Sequence, residues 1–154
     1  MAVFPPGKGG GAGVEYGYKG KGVTIHSLVE GQGRPLSISS TSAKEDERRE
    51  VEPLLDDLGK HPFSLYADKG YDAEWLRNLL AGKYLIASYI SKRNYPKQKQ
   101  VPITKNNRWV VERTFAWYQR KFRRINIKWE RNWSPWLAFL NFALIGYWIQ
   151  LLVG

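Results

Sequence analysis

The chain contains no cysteine, only two histidines and one methionine, and far fewer acids than bases. Without a thiol there is no disulfide, no thiolate zinc site and no cysteine nucleophile, a pattern that fits a reducing cytosol. His26 and His61 are the only imidazoles, so a histidine-rich metal centre is excluded. Residues 1–6 carry neither a basic stretch nor an apolar one, and nothing there resembles a secretory leader. No internal repeat occurs at a fixed period, and Gly7 to Gly13 is the only low-complexity stretch.

What is present is a chain of 154 residues with 43% hydrophobic and 14% aromatic content, enough for one packed domain. Its 24 Lys and Arg against 14 Asp and Glu give a net charge of +10, which attracts polyanions at long range. Nucleic acid or an anionic membrane surface is the natural partner. Between Lys105 and Arg131 nine basic residues face only Glu112 and Glu130, so the basic patch lies in the C-terminal third. Eight of the fifteen glycines fall between Gly7 and Gly22, which reads as a flexible segment over residues 1–22, ahead of a globular unit over 23–154.

Val23 to Glu30 and Leu36 to Thr41 alternate in the manner of strands around Gly31-Gln32-Gly33, predicting a β-hairpin. Ser42-Ala43-Lys44-Glu45 has capping-box spacing ahead of Val51, Leu54, Leu55 and Leu58, predicting a helix interrupted by Pro53 and stopped at Gly59. Phe63 to Ala67 reads as a short strand buried on both faces, Asp72 as the cap of a helix over Ala73 to Ala81, and Tyr84 to Ile90 as the next strand. Strand, helix and strand over about 30 residues form a βαβ unit with parallel strands. Asp68 then lies at a strand's carboxyl end, where ligands gather in open α/β sheets. Ser91 to Asn107, with Pro96 and Pro102, reads as a basic surface loop. Val111, Phe115, Tyr118, Phe122 and Ile125 form one buried helical stripe, with Arg108, Glu112, Gln119 and Arg123 on the neighbouring face. Pro135 to Gly154 is apolar almost all round and must be covered by something.

Two carboxylates on separate rigid elements of a basic protein are what metal-assisted chemistry on DNA phosphates requires, and Asp68 and Glu112 are the candidates. Each has a plainer reading. Asp68 before Lys69-Gly70 is also a turn initiator, and Glu112 is also a partner for Arg108 one helical turn away. Asp46, Asp56 and Asp57 read as solvated helix positions, and His26 as a packed or hydrogen-bonded strand histidine without a catalytic role. Arg120, Lys121, Arg123 and Arg124, interleaved with Trp117, Tyr118 and Trp129, fit phosphate contact as well as a solvated face.

The run from the glycine-rich segment to the C-terminus resembles the DDE transposases of bacterial insertion sequences. Ala67-Asp68-Lys69-Gly70-Tyr71-Asp72 is similar to the motif of that family's second catalytic Asp, and Arg108-x-x-x-Glu112-Arg113-x-Phe115 to the region of its third acid. Lys19 to His26 and Gly33-x-Pro35-Leu36 are similar to its second and third strands. The resemblance implies an α/β fold with a ribonuclease-H-like mixed sheet flanked by helices. It implies Asp68 and Glu112 as catalytic and metal-binding residues, and Arg108, Arg113, Arg120, Lys121, Arg123 and Arg124 at the DNA.

The implied chemistry uses two Mg²⁺ ions: water nicks the transposon end, and the freed 3′-hydroxyl attacks target DNA. Implied partners are double-stranded DNA, both transposon ends and target, in the cytoplasm at the nucleoid, with a second copy of the chain as a candidate dimer partner and no membrane. The family's first catalytic Asp has no counterpart here. The expectation is therefore that the first strand is largely missing and the metal site is completed only with an upstream Asp, from a frameshift or an upstream reading-frame product, or that the chain is an inactive relic. Two readings from other classes stand beside this one: a non-catalytic basic DNA-binding remnant, and a small membrane-anchored basic protein whose Trp136 to Val153 spans a bilayer behind Lys128 and Arg131.

Overall fold

A computed structural model describes residues 2–92 and 105–153, with the backbone alone described for 105–108. The expected loop at 91–107 falls mostly outside the described residues; its last residues belong to a helix.

The predicted hairpin forms and is the centre of the molecule. Strand β3 (Gly20–Val29) pairs antiparallel with β4 (Pro35–Ser42), with a register irregularity at Leu28/Val29. Gly33 turns the chain at a φ of 90°, a conformation that favours glycine. Two short strands lie on the other edge of β3: β1 (Ala2–Val3) opposite His26 and Ile25, and β2 (Glu15–Gly17) opposite Gly22 to Gly20. Residues 22–27 of β3 are buried on both faces of the sheet.

The glycine-rich run, read from sequence as a loose segment, is laid across the C-terminal half. The Gly9 amide donates to the Lys128 carbonyl at 3.2 Å and the Ala12 amide to that of Arg131 at 2.9 Å. A Cβ at Gly9 would stand 1.9 Å from the Trp129 carbonyl oxygen, so the contact requires a residue without a side chain.

The Ser42–Glu45 capping spacing makes its reciprocal bonds, Ser42 amide to Glu45 carboxylate and Lys44 amide to Ser42 hydroxyl, but in a turn that ends β4 rather than at a helix start. Asp46 starts the helical stretch instead, accepting from the Arg48 amide at the head of a 3₁₀ turn that runs into α1 (Val51–Asp56). Pro53 falls in the first turn of α1, where its missing N–H costs no helix bond, so the sequence-predicted interruption becomes a helix start.

The βαβ unit is present: β5 (Ser64–Ala67), α2 (Glu74–Gly82) and β6 (Ala87–Ile90), with β5 and β6 parallel. Two details differ from the sequence reading. Only Leu65 of β5 is buried; Tyr66 and Phe63 are exposed, and Tyr66 stacks on Tyr89 at 4.7 Å. Asp72 does not cap α2. It pairs with Arg77 at 2.5 Å, and Arg77 also donates to the Ile90 carbonyl, tying α2 to the end of β6. Asp56 likewise is a partner rather than a bare surface acid, accepting from the Tyr84 hydroxyl at 2.6 Å and from Lys83.

Helix α3 (Lys105–Lys121) buries Phe115 and Tyr118 on the predicted stripe, and a 3₁₀ turn over Arg123–Asn126 carries Ile125 into the same core. Helix α4 (Trp133–Val153) adds Trp136, Leu140 and Ala143 to that core, over Val23, Ile25 and Ile38 of the hairpin. A second core joins α1, α2, β5 and β6 through Val51, Leu55, Leu65, Leu76, Leu80 and Ile90. Expected to be covered all round, α4 is buried on one stripe only. Phe142, Ile145, Ile149 and Leu152 are exposed, and by length and composition the helix could also cross a membrane.

The architecture is mixed α/β with flanking helices, as expected. It differs from a single mixed sheet: the antiparallel sheet around β3 and the parallel pair β5–β6 are separate, because no strand among the described residues bridges β3 and β5.

Candidate active site

Asp68 follows β5 directly and heads a 3₁₀ turn over Lys69–Tyr71. Its Oδ1 accepts from the Gly70 amide at 2.7 Å, and its carbonyl accepts from the Tyr71 amide at 3.1 Å. A Cβ at Gly70 would meet Oδ1 at 2.8 Å, so glycine at 70 keeps the carboxylate seated over the turn. Tyr71 anchors the turn by burying its ring in the second core. The Asp68 side chain itself is exposed. The turn-initiator reading is therefore realised, and the residue's exposed position at the strand's carboxyl end leaves it available to a ligand as well.

Glu112 sits on the exposed face of α3, beside the half-buried Val111. What holds this turn of α3 in place was not legible in the sequence. The Thr114 hydroxyl donates to the Gly33 carbonyl at 2.7 Å, the Tyr147 hydroxyl donates to the same oxygen at 3.3 Å, and Arg113 donates to the Gln32 carbonyl. The hairpin turn thus fixes α3 at the residues that immediately follow Glu112.

Neither acid lines the cavity between the sheets; each is the chain neighbour of residues that do. A space of about 490 Å³ lies between the sheets, and its walls include Ala67, next to Asp68, and Val110 and Val111, next to Glu112. Among the described residues no group of three or more His, Cys, Asp or Glu comes together to hold a metal.

His26 lines the same cavity, is 1% exposed, and shares a hydrogen bond of 2.8 Å between Nε2 and the Thr41 hydroxyl. This is the hydrogen-bonded strand histidine the alternation suggested. Burial pushes its pKa down from 6.5 to about 4, so the fold favours the neutral ring. Between those values the unfolded chain binds the extra proton, and stability falls as pH falls from 6.5 toward 4. From pH 7.5 to 5 the expected loss from this group is about 2 kcal/mol, read as a shift in urea midpoint. His26→Gln should flatten that part of the profile; a parallel profile in the variant would contradict the assignment.

The basic residues divide into two kinds. Arg120, Lys121 and Arg123 are exposed at the end of α3 and in the turn after it. Arg113 is engaged within the fold, through the Gln32 carbonyl and the Trp109 ring 4.5 Å away, and Arg124 is paired with Glu130 at 2.6 Å. The Arg108 side chain lies outside the described residues. Lys128 is fully buried, donating to the Glu130 carbonyl, and burial pulls its pKa down.

Comparison with known proteins identifies the family. Residues 3–145 match the family model described as the transposase DDE domain. Over 126 residues the chain is 34% identical to the protein assigned as transposase of insertion sequence element IS402 in Burkholderia cepacia, covering 75% of this chain and 57% of that protein. It is 32% identical over 108 residues to the transposase of IS1106 in Neisseria meningitidis serogroup B, covering 66% of this chain and 37% of that protein. Against the protein assigned as transposase of IS6501 in Brucella ovis it is 27% identical over 130 residues, 82% of this chain and 97% of that protein. The chain thus spans about half or less of the first two relatives. No solved structure gives a significant match. With a family match that runs through nearly its whole length, the chain belongs to the DDE transposases of bacterial insertion sequences.

Proposed function

We propose that this chain supplies the larger part of a transposase catalytic domain, over residues 23–154, that nicks insertion-sequence ends and joins them to target DNA. In this reading Asp68 and Glu112 are the carboxylates of a divalent-metal site. The observation that carries it is the placement of the two acids: each immediately follows or adjoins residues lining one cavity, one acid at a strand's carboxyl end and the other on a helix whose far end is basic.

The donor set suits the ion. Mg²⁺ takes oxygen ligands, keeps several waters, and is commonly held by one or two carboxylates together with substrate phosphate. When bound, such ions supply Lewis-acid stabilisation of the charge that develops on the phosphate in transfer. The chain's own residues do the positioning. The Gly70 amide fixes one oxygen of Asp68, and the Thr114 and Arg113 bonds to the hairpin turn fix the α3 turn that carries Glu112. A two-ion site needs a third carboxylate, and among the described residues no three His, Cys, Asp or Glu come together. Nicking is therefore expected to require a further carboxylate besides Asp68 and Glu112.

The reaction proposed is hydrolysis of one phosphodiester, water's oxygen forming the new P–O bond and the 3′-hydroxyl leaving. That hydroxyl then attacks target DNA in line, releasing a second 3′-oxygen. The setting is the bacterial cytoplasm, at chromosomal DNA. The test is cleavage of a duplex carrying the element's terminal repeats by the transposase assembled with this chain. Nicking that requires Mg²⁺ and stops with EDTA supports the reading; nicking indifferent to EDTA contradicts it.

DNA contact is assigned to Arg120, Lys121 and Arg123, with Arg108 near the opposite end of α3 and Arg113 and Arg124 serving mainly to hold the fold. Replacing Arg120, Lys121 and Arg123 together by Ala should weaken duplex binding regardless of sequence. It should also flatten the dependence of log affinity on log salt by roughly 2–3, about 0.9 for each lost phosphate contact. Fluorescence anisotropy between about 50 and 200 mM salt measures this. An unchanged slope would place the DNA elsewhere.

A further inference from the structure

One face of the parallel pair β5–β6 packs into the second core, and the other carries two tyrosines. Leu65 and Ile90 are buried against α1 and α2, so by the two-residue period of a strand Tyr66 and Tyr89 stand on the opposite face. They are register partners, their rings stacked with centroids 4.7 Å apart and planes within 10° of parallel. Tyr66 is 49% exposed and Tyr89 37%. The backbone stays extended through Asp68, at a φ of −73° and a ψ of 174°, so Tyr66 and Asp68 lie on the same face of the strand, about 7 Å apart along it.

A cross-strand aromatic pair stabilises a sheet in its own right. That accounts for one ring lying on the other. It does not account for two large rings left so far in solvent beside the acid at which chemistry on DNA is proposed. Strands that present exposed aromatic rings are a recurring surface for unpaired bases, because every base has a flat face that stacks on a ring whatever its sequence. The charge suits such a partner: the chain carries +10, and each strand is followed by an exposed lysine, Lys69 after β5 and Lys92 after β6. The stack runs across the strands, with its Tyr66 end bordering the cavity between the sheets and Tyr89 behind it.

We infer that Tyr66, backed by Tyr89, is a stacking site for one unpaired nucleobase, that of a nucleotide beside the phosphodiester held at Asp68. The base adds a third layer on the side of Tyr66 away from Tyr89. A nucleotide drawn out of a duplex loses its stacking neighbours in the DNA, and the tyrosine ring restores one of them. The strand is thereby held unpaired next to the bond to be cut. Tyr89 touches no DNA in this arrangement; it is a positioning residue that keeps the Tyr66 ring upright. The inference rests on the reading that DNA is acted on at Asp68, and adds to that reading a site for a base.

The experiment titrates the full chain against two duplexes of the same sequence, one blunt and one ending in a short single-stranded overhang. Fluorescence anisotropy is read in EDTA, so that neither metal nor cleavage enters. The overhang duplex is expected to bind about tenfold more tightly, within the range for one base on one aromatic ring. Tyr66→Ala is expected to bring the overhang affinity down to that of the blunt duplex, and Tyr89→Ala to lose part of the difference. Tyr66→Phe should keep it, because the ring and not the hydroxyl does the stacking. Tyr66→Leu, which retains apolar bulk in the sheet, makes the same comparison should Tyr66→Ala not fold. Equal affinity of the unaltered chain for the two duplexes, with both bound, overturns the inference and leaves the Asp68 reading standing. An overhang preference that survives Tyr66→Ala or Tyr66→Leu overturns it as well, and makes the tyrosines a pair that only stabilises the sheet. Binding of neither duplex would overturn both the inference and the assignment of DNA contact to this chain.

Discussion

Asn at position 68, or Gln at position 112, is expected to lower nicking by the assembled transposase on the order of a thousandfold, about 4 kcal/mol of lost transition-state stabilisation. Duplex binding should stay within about twofold, because neither acid belongs to the basic surface that supplies most of the attraction to DNA. The amide substitutions separate the two roles of Asp68. Asn keeps an oxygen that can accept from the Gly70 amide and so preserves the turn, whereas Ala removes the acceptor and costs about 1 kcal/mol of stability. If Asp68 were only a turn initiator, Asn would be tolerated and Ala would not. If its charge holds a metal, Asn and Ala fail alike, and only Ala lowers the melting temperature. Glu112 is exposed, so Gln there should leave the melting temperature unchanged. The two losses should not add, since carboxylates that act on one metal site form a single unit.

Trp136→Ala is expected to be the most damaging single substitution for the fold. Its side chain is fully buried at the centre of the first core, and its indole N–H donates to the Ser40 hydroxyl at 3.0 Å, binding α4 to the hairpin. Removing it leaves a cavity and takes away the donor to the buried Ser40 hydroxyl, which keeps its own bond to the Thr24 carbonyl, a loss of roughly 3–5 kcal/mol. That is a large share of the 5–15 kcal/mol typical of a domain, and the urea midpoint should collapse accordingly. Phe142→Ala, two turns along the same helix but 61% exposed, should change stability by less than about 0.5 kcal/mol. Equal losses at the two positions would mean that the exposed stripe of α4 is as fully packed as the buried one.

Local chemistry made much of this legible in advance. The alternation through Val23, Ile25 and Ser27 and the turn glycines gave the hairpin; Asp68-Lys69-Gly70 gave a strand end with a tight turn; and the spacing of Phe115, Tyr118 and Ile125 gave the core face of α3. What was not legible depended on partners far away in the chain. Glycine density at 7–13 suggested looseness because nothing nearby reveals that Trp129, Arg131 and Trp133 press against those glycines. The Ser42–Glu45 capping bonds formed as their chemistry demands, yet strand β4 had already claimed Ser42, so the box closes a turn. Arg113 and Arg124 counted toward a basic face until Gln32 and Glu130 were found at their tips. At the site, the two acids were readable as motifs, whereas the cavity lined by their chain neighbours exists only once the hairpin, α1, β5 and α3 are assembled around it.

Asp68 and Glu112 are proposed to grip the same metal site. Anomalous scattering from Mn²⁺, soaked into crystals of the assembled transposase with its DNA, tests this directly. The expectation is a peak with oxygens of both carboxylates about 2.0–2.3 Å from the bound ion or ion pair. A Mn²⁺ peak held by other residues, with either carboxylate well beyond coordinating distance, would contradict it.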